Sequence, residues 1–348
     1  MPRKPRTRFL HDPRDGRLRA VWRILIPFVA VMAGLTAIDL GLVAPIAGSP
    51  AAYAVGGAGR LLLVVAVIAV TARVLDRRRL RGYGLGSDRA WWADAAVGAA
   101  IGLVMFAAST GVALAAGWVR IQEVLSPAAT GGLWLVLALA VFRLATVSLW
   151  EELLFRGVMI KNGAESLVQR RSPTTAVVVA TLISTVVFAF IHVPQHVGSG
   201  QPMLRMVWMW LALGALMALG YVLTGRLALP LGLHLTVNLA LQHVFVLWGD
   251  EAAPMATILQ LEVVGSESLA GIGGWLHVGA VAVATVLLLG WVRWRYGGLR
   301  VHPAIRARAD ARSDARSPAD EVAVAHDHGM AGADRAAAGS GCVTPSGR

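Results

Sequence analysis

Cysteine is nearly absent, and the one thiol, Cys342, excludes a disulfide framework and any cysteine-ligated metal centre. Charge is scarce as well. Charged residues make up 15% of the 348 and hydrophobic ones 56%, against a charged share of about 25% in an average soluble domain. So little charge excludes an ordinary soluble protein. Acidic residues are the scarcer sign, 20 against 32 basic ones, for a net charge of +12. In a soluble chain that surplus would point to nucleic acid; here the basic residues stand beside apolar runs, where they set topology, so no nucleic-acid partner is expected. An internal repeat is also missing, which speaks against a transporter built from paired halves.

What is present is a series of about eight apolar runs whose flanking loops alternate in charge, so the expected fold is an all-α, polytopic membrane helix bundle of about eight transmembrane helices. The first run, about 24–43, follows a strongly basic segment and reads as a retained span with the N-terminus in the cytoplasm. The second, about 61–74, ends in Arg73, Arg77, Arg78, Arg79 and Arg81, a block that the positive-inside rule assigns to the cytoplasm. The third spans about 91–118. The fourth starts near Leu133 and descends to Glu151 and Glu152, and Arg156, Lys161, Arg170 and Arg171 after it read as a cytoplasmic loop. Runs over about 174–192, 206–223, 230–248 and 275–291 complete the set and return the C-terminus to the cytoplasm. These runs divide the chain into an N-terminal part, 1–84, with two helices, a core over 85–300, and a tail, 301–348. The tail has too few large apolar residues to fold alone.

Three of the runs carry polar groups at helical spacing. Ionisable groups at membrane depth are costly and mark functional sites. Glu152 and Arg156 are four apart and share a helix face, while Glu151 is turned toward Phe155. One glutamate is thus placed for an ion pair and the other is left for chemistry. Phe188 and His192 share a face of the fifth run, and His234 and Asn238 share one of the seventh. Groups buried on three apolar helices must satisfy one another or bind something polar. His196 is four from His192, but Pro194 between them breaks the shared face, and His243 points away from His234. Arg143, inside the fourth run, has no evident partner.

In this order and at these separations, Glu151-Glu152-x-x-x-Arg156, Phe188-x-x-x-His192 and His234-x-x-x-Asn238 resemble the three motifs of the CPBP intramembrane proteases, which include type II CAAX prenyl endopeptidases and bacterial Abi proteins. The similar region covers roughly residues 85–250. The resemblance implies a multi-pass endopeptidase acting on a membrane-associated protein or peptide. It implies that Glu151, assisted by His192, activates water and that His234 and Asn238 stabilise the oxyanion, with Glu152, Arg156 and Phe188 in support. The physical chemistry agrees, since a desolvated carboxylate is a stronger base than a hydrated one, and fixed N–H donors suit a developing negative charge.

Other readings of the same residues stay open. A proton- or ion-coupled transporter could use them as a relay, and a non-catalytic scaffold could bind another membrane protein through them. The cofactor is unknown: zinc held by Glu151, His192 and His234 would leave one position for water, whereas a metal-free site would use Glu151 as the base. Straight helices present one difficulty. They place Glu151 and His234 toward the inner side and His192 toward the outer, so either the fifth helix starts deep and tilts or residues 224–230 re-enter the membrane.

Overall fold

The computed structural model describes residues 7–12, 15–126, 132–168, 170–197, 202–247 and 256–306. Among these, seven helices are long and apolar enough to cross a membrane. They are α1 (Ala20–Ile38, running on to Ile46), α2 (Pro50–Val70, to Leu75), α3 (Arg89–Ala115), α4 (Leu133–Leu167), α5 (Pro173–Phe190), α6 (Met203–Thr224) and α8 (Trp275–Tyr296). Between α6 and α8 lies α7 (Ala228–Leu239), which continues through a wider π-helical turn at Ala240–Val244. It is too short to count with the seven, yet it is the expected run that carries His234 and Asn238. The molecule is an all-α polytopic bundle, and a multi-pass membrane protein. Much of the tail, from 307 onward, lies outside the described residues; before it, Pro303–Arg306 forms one helical turn with Ile305 buried.

Local sequence sets the helix ends. Asp88 accepts a hydrogen bond from the Trp91 amide and Ser172 from that of Thr175, capping α3 and α5, and Pro50 and Pro173 stand in first turns. Helix α6 stops where Gly225 takes φ +67°, a left-handed conformation that costs glycine least. The Leu227 amide then donates to the Gly84 carbonyl, and α7 turns back into the bundle.

Helix α7 is seated by glycine. A Cβ on Gly232 would lie 1.9 Å from the Ala95 carbonyl oxygen, and one on Gly98 would lie 2.1 Å from that of Leu229. The α3 and α7 backbones therefore touch, with Gly98 and Gly102 forming the small-residue face such packing needs. At one end of the bundle three segments form a small sheet, one of them, Phe245–Leu247, from the end of the run expected over about 230–248. Strand β1 (Val119–Ser126) runs antiparallel to β3 (Thr257–Val263), and β2 (Phe245–Leu247) pairs parallel to β3.

Helix α4 corrects one expectation. It does not end at the glutamates: Leu133–Glu151 is α-helical, Glu152–Ile160 is π-helical and Lys161–Leu167 is α-helical again. Every residue from Glu151 to Asn162 is buried, including Arg156 and Lys161, which were expected in a cytoplasmic loop. They stay inside because each has a partner: Lys161 Nζ donates to the Gly82 carbonyl at 2.5 Å, and Arg156 meets Glu152. The longer α4 also removes the difficulty with straight helices. Residues 151–167 carry the chain well past Glu151, so α5, starting at Pro173, has the length to bring His192 back to the glutamate's level.

Candidate active site

Glu151 is 5% exposed and Glu152 is fully buried, at the junction where α4 changes from α- to π-helical winding. A π stretch inside a long helix widens the turn and re-aims its side chains, and such stretches are common at functional sites. Glu152 Oε1 is shared: Arg156 Nη1 lies 3.1 Å away, and His234 Nδ1 donates to it at 2.8 Å. Arg156 also donates from Nη2 to the Gly214 carbonyl at 3.0 Å and lies over the Phe188 ring, 4.4 Å from its centroid. The expected Glu152–Arg156 pair is present. It was not expected that the same carboxylate oxygen would hold His234.

The two histidines face Glu151. His192 sits in the turn after α5, where Nδ1 donates to the Phe188 carbonyl at 2.7 Å, and its Nε2 lies 3.9 Å from Glu151 Oε2. His234 Nε2 is 3.6 Å from the same oxygen. Each ring is thus held through Nδ1 and presents Nε2 to one carboxylate oxygen. Glu151 Oε2 is buried and has no hydrogen-bond partner, and neither has Glu152 Oε2. Phe188 is the wall between them, its ring 4.8 Å from that of His192 and 6.1 Å from that of His234. Five expected residues from three helices, Glu151, Glu152, Phe188, His192 and His234, therefore meet with Arg156 behind them. Asn238, one turn beyond His234, is half-buried and makes no side-chain hydrogen bond among the described residues.

Trp210 on α6 carries no motif signal that would single it out in the sequence. It stacks on His192 with ring centroids 5.2 Å apart and touches His196 at 4.9 Å. His196 donates from Nδ1 to the His192 carbonyl, and His243 to that of Ala256. Arg143 has partners after all: Nη2 donates to Gln242 Oε1 at 2.9 Å, and the guanidinium lies 5.1 Å from the centre of the Tyr53 ring.

The set that could offer itself to zinc is Glu151 Oε2 with the two Nε2 atoms. Ligands at zinc-bond length around a tetrahedral ion stand roughly 3.3 Å apart, and the separations here are 3.6 and 3.9 Å. Among the described residues no group of three or more His, Cys, Asp or Glu is placed to hold a metal ion. The residues as arranged do not fit zinc.

No curated protein and no solved structure matches the chain. A family model does: Rce1-like, type II CAAX prenyl endopeptidase Rce1-like, over residues 132–240. That span opens at the start of α4 and closes just after Asn238, so it holds every residue of the constellation, while α3, which seats α7, lies outside it. Over residues 132–240 the chain is thus similar to the Rce1-like type II CAAX prenyl endopeptidases, consistent with a CPBP family intramembrane protease.

Proposed function

We propose that the protein is an intramembrane endopeptidase that hydrolyses a peptide bond of a membrane-associated substrate, with Glu151 as general base. The observation that carries this is the buried, unpartnered Glu151 Oε2 with two imidazole nitrogens turned toward it. A buried acceptor without a partner is costly and is kept where a substrate or water completes it.

In this reading a water lies between Glu151 Oε2 and His192 Nε2. Glu151 takes a proton from it as the water oxygen bonds to the peptide carbonyl carbon. The carbonyl π electrons move to oxygen, and that oxyanion is met by the Asn238 amide and by His234 when its Nε2 carries a proton. Collapse re-forms the carbonyl and breaks the C–N bond, and the proton held by Glu151 passes to the leaving nitrogen. The products are one carboxylic acid and one amine, with no other reactant consumed. Glu152 fixes the His234 ring through Nδ1, and Arg156 fixes Glu152. General-base catalysis supplies about 10²–10⁴-fold, and an oxyanion donor about 10²–10³-fold.

Membrane proteomes of cells carrying wild-type protein or Glu151→Gln test the reading. Shortened forms of a membrane-associated protein should appear only with wild type, and Glu151→Gln should reach normal levels. Purified Asn238→Asp, which swaps a donor for an acceptor, should lose about 10²-fold in turnover. Identical cleavage products from wild type and Glu151→Gln would sink the proposal.

A further inference from the structure

Helices α4 and α7 run antiparallel. Glu152 meets His234, and nine residues back along α4 Arg143 meets Gln242, eight residues forward along α7. The register between these contacts sets Ser148 on α4 opposite Asn238 on α7, each four residues from the glutamate–histidine contact. Helix winding turns Ser148 to the site. Successive residues advance by about 100°, so Ser148 points roughly 60° from Glu151 and roughly 40° from Glu152, between the two carboxylates and about one turn beyond them.

Ser148 is 1% exposed, and its hydroxyl has no hydrogen-bond partner among the described residues. A helix offers such a hydroxyl an easy partner in the carbonyl of the preceding turn. Four others in the spans take it: Thr71 donates to Val67, Thr146 to Arg143, Thr224 to Gly220 and Thr285 to Val281. Ser148 does not take the Leu144 carbonyl. Thr181 Oγ1 on α5 is bare as well, but it stands eleven residues before His192, roughly 16 Å from the site. A buried hydroxyl left bare is costly and is kept where a ligand completes it. Three bare oxygens of α4, those of Ser148, Glu151 Oε2 and Glu152 Oε2, thus share one face.

We propose that Ser148 is a further catalytic residue of this site, its Oγ–H donating, together with the Asn238 amide, to the carbonyl oxygen of the bond being cut. The proposal rests on the endopeptidase reading and extends it. Attack on the carbonyl leaves negative charge on that oxygen, and a hydroxyl and an amide facing each other across α4 and α7 can both turn a hydrogen to it. The ionised glutamates are acceptors only and cannot. As a nucleophile, Ser148 would need a base in hydrogen-bond contact, and its Oγ has none. Donation is the use of the hydroxyl that its surroundings favour.

The test uses purified full-length protein in lipid nanodiscs and a fluorogenic peptide with an S-farnesyl cysteine followed by three apolar residues. Ser148→Ala should lower kcat by about 10²-fold with KM within about threefold, the lower end for an oxyanion donor because Asn238 and His234 remain. Ser148→Cys, a weaker donor of similar shape, should fall between Ser148→Ala and wild type. Thr146→Ala, whose hydroxyl is bonded within its own helix, should keep kcat within about twofold. The same peptide with a difluoromethylene ketone at the scissile position hydrates to a tetrahedral mimic; Ser148→Ala should bind it about 10²-fold more weakly than wild type and bind the reduced-amide analogue, which lacks the oxygen, equally well. Thermal unfolding gives a readout that a packing role would not. Removing a bare polar group should raise the unfolding temperature of Ser148→Ala by about 1–4 °C. Equal kcat in Ser148→Ala and wild type, or a loss accompanied by a lower unfolding temperature, overturns the donor while leaving proteolysis standing. Complete loss of turnover in Ser148→Ala, with a peptide adduct on Ser148 of wild type, makes the residue a nucleophile and overturns the donor too. Ketone binding that depends on Ser148 without cleavage of the peptide upholds the donor and overturns proteolysis; neither cleavage nor ketone binding by wild type overturns both.

Discussion

Two clusters of buried charge lie along the same helix, α4, and they are finished differently. Near its end, Asn162 and Glu165 join Arg23 of α1 and the Asp76, Arg78 and Tyr83 side chains. There every carboxylate oxygen is engaged. Asp76 Oδ1 accepts from Arg23, Oδ2 accepts from Asn162 and Tyr83, and Glu165 meets Arg78 through Oε1 and Arg23 through Oε2. Burial, with Asp76 beside it, pushes the Tyr83 phenol well above its ordinary range, so it stays protonated and keeps donating. At the other cluster, Glu151 and Glu152 each leave one buried oxygen bare. The first cluster is closed in that it leaves no carboxylate oxygen bare, only the Arg23 Nε and the Arg78 Nε and Nη1 donors, and it ties α1 and the stretch before α3 to α4; in the second, open one the bare atoms are the carboxylate oxygens, on which the proposed function rests.

The largest effect should come from breaking the closed cluster. Asp76→Ala strands Arg23 and leaves Tyr83 and Asn162 without their shared acceptor, and removing one member of a buried pair costs about 3–5 kcal/mol. Thermal unfolding in detergent should show that loss, while the turnover of whatever protein remains folded should match wild type. A folded but inactive Asp76→Ala would erase the distinction between the two clusters.

Glu152→Gln sharpens the comparison, because Glu152 belongs to both kinds of cluster. One oxygen is closed between Arg156 and His234, and the other is bare. The amide keeps the size and can still accept from His234, but it removes the charge that Arg156 meets. We expect a loss of roughly 1–3 kcal/mol in stability for the buried pair left uncompensated. Turnover should fall by about 10-fold, less than for Glu151→Gln, as expected for a residue that orients His234 without touching the reacting atoms. Steady-state kinetics with a thermal unfolding curve separates the two effects; full activity with normal stability would place Glu152 outside the site.

Much of this was legible in the sequence because membrane chemistry is strict. Apolar runs must be helices, so the spans could be read from composition, and polar residues at four-residue spacing on those runs could be read as faces. The faces that carry Glu151, His192 and His234 could be read in this way, but that the three meet depends on the length of α4. The closed cluster was not legible, because Arg78 sits in a basic block and Glu165 in an apparent loop, and both look solvated until the chain brings them together. Nor was the length of α4, since a run broken by Arg156, Lys161 and Glu165 reads as having left the membrane. The service of Glu152 to His234 joins residues 82 positions apart, and only the packing of α7 against α4 reveals it.

The smallest expected effect concerns metal. Zinc activates water by lowering its pKa to about 7, and a site that depends on it loses nearly all activity when the ion is removed. The residues here favour a different division of labour. The Nε2 atoms stand 3.6 and 3.9 Å from Glu151 Oε2, wider than two zinc ligands would be, although holding each imidazole through Nδ1, by Phe188 for His192 and by Glu152 for His234, would orient a metal ligand equally well. Asn238 beside them is an uncommon zinc ligand and a good oxyanion donor. Protein stripped with a strong chelator and returned to metal-free buffer should therefore keep most of its activity, within about twofold, a change worth about 0.4 kcal/mol. Elemental analysis on the same samples decides the matter. Loss of activity on stripping, recovery with one equivalent of zinc, and no zinc uptake by His234→Ala would make the open cluster a metal centre and reassign its bare oxygens as ligands.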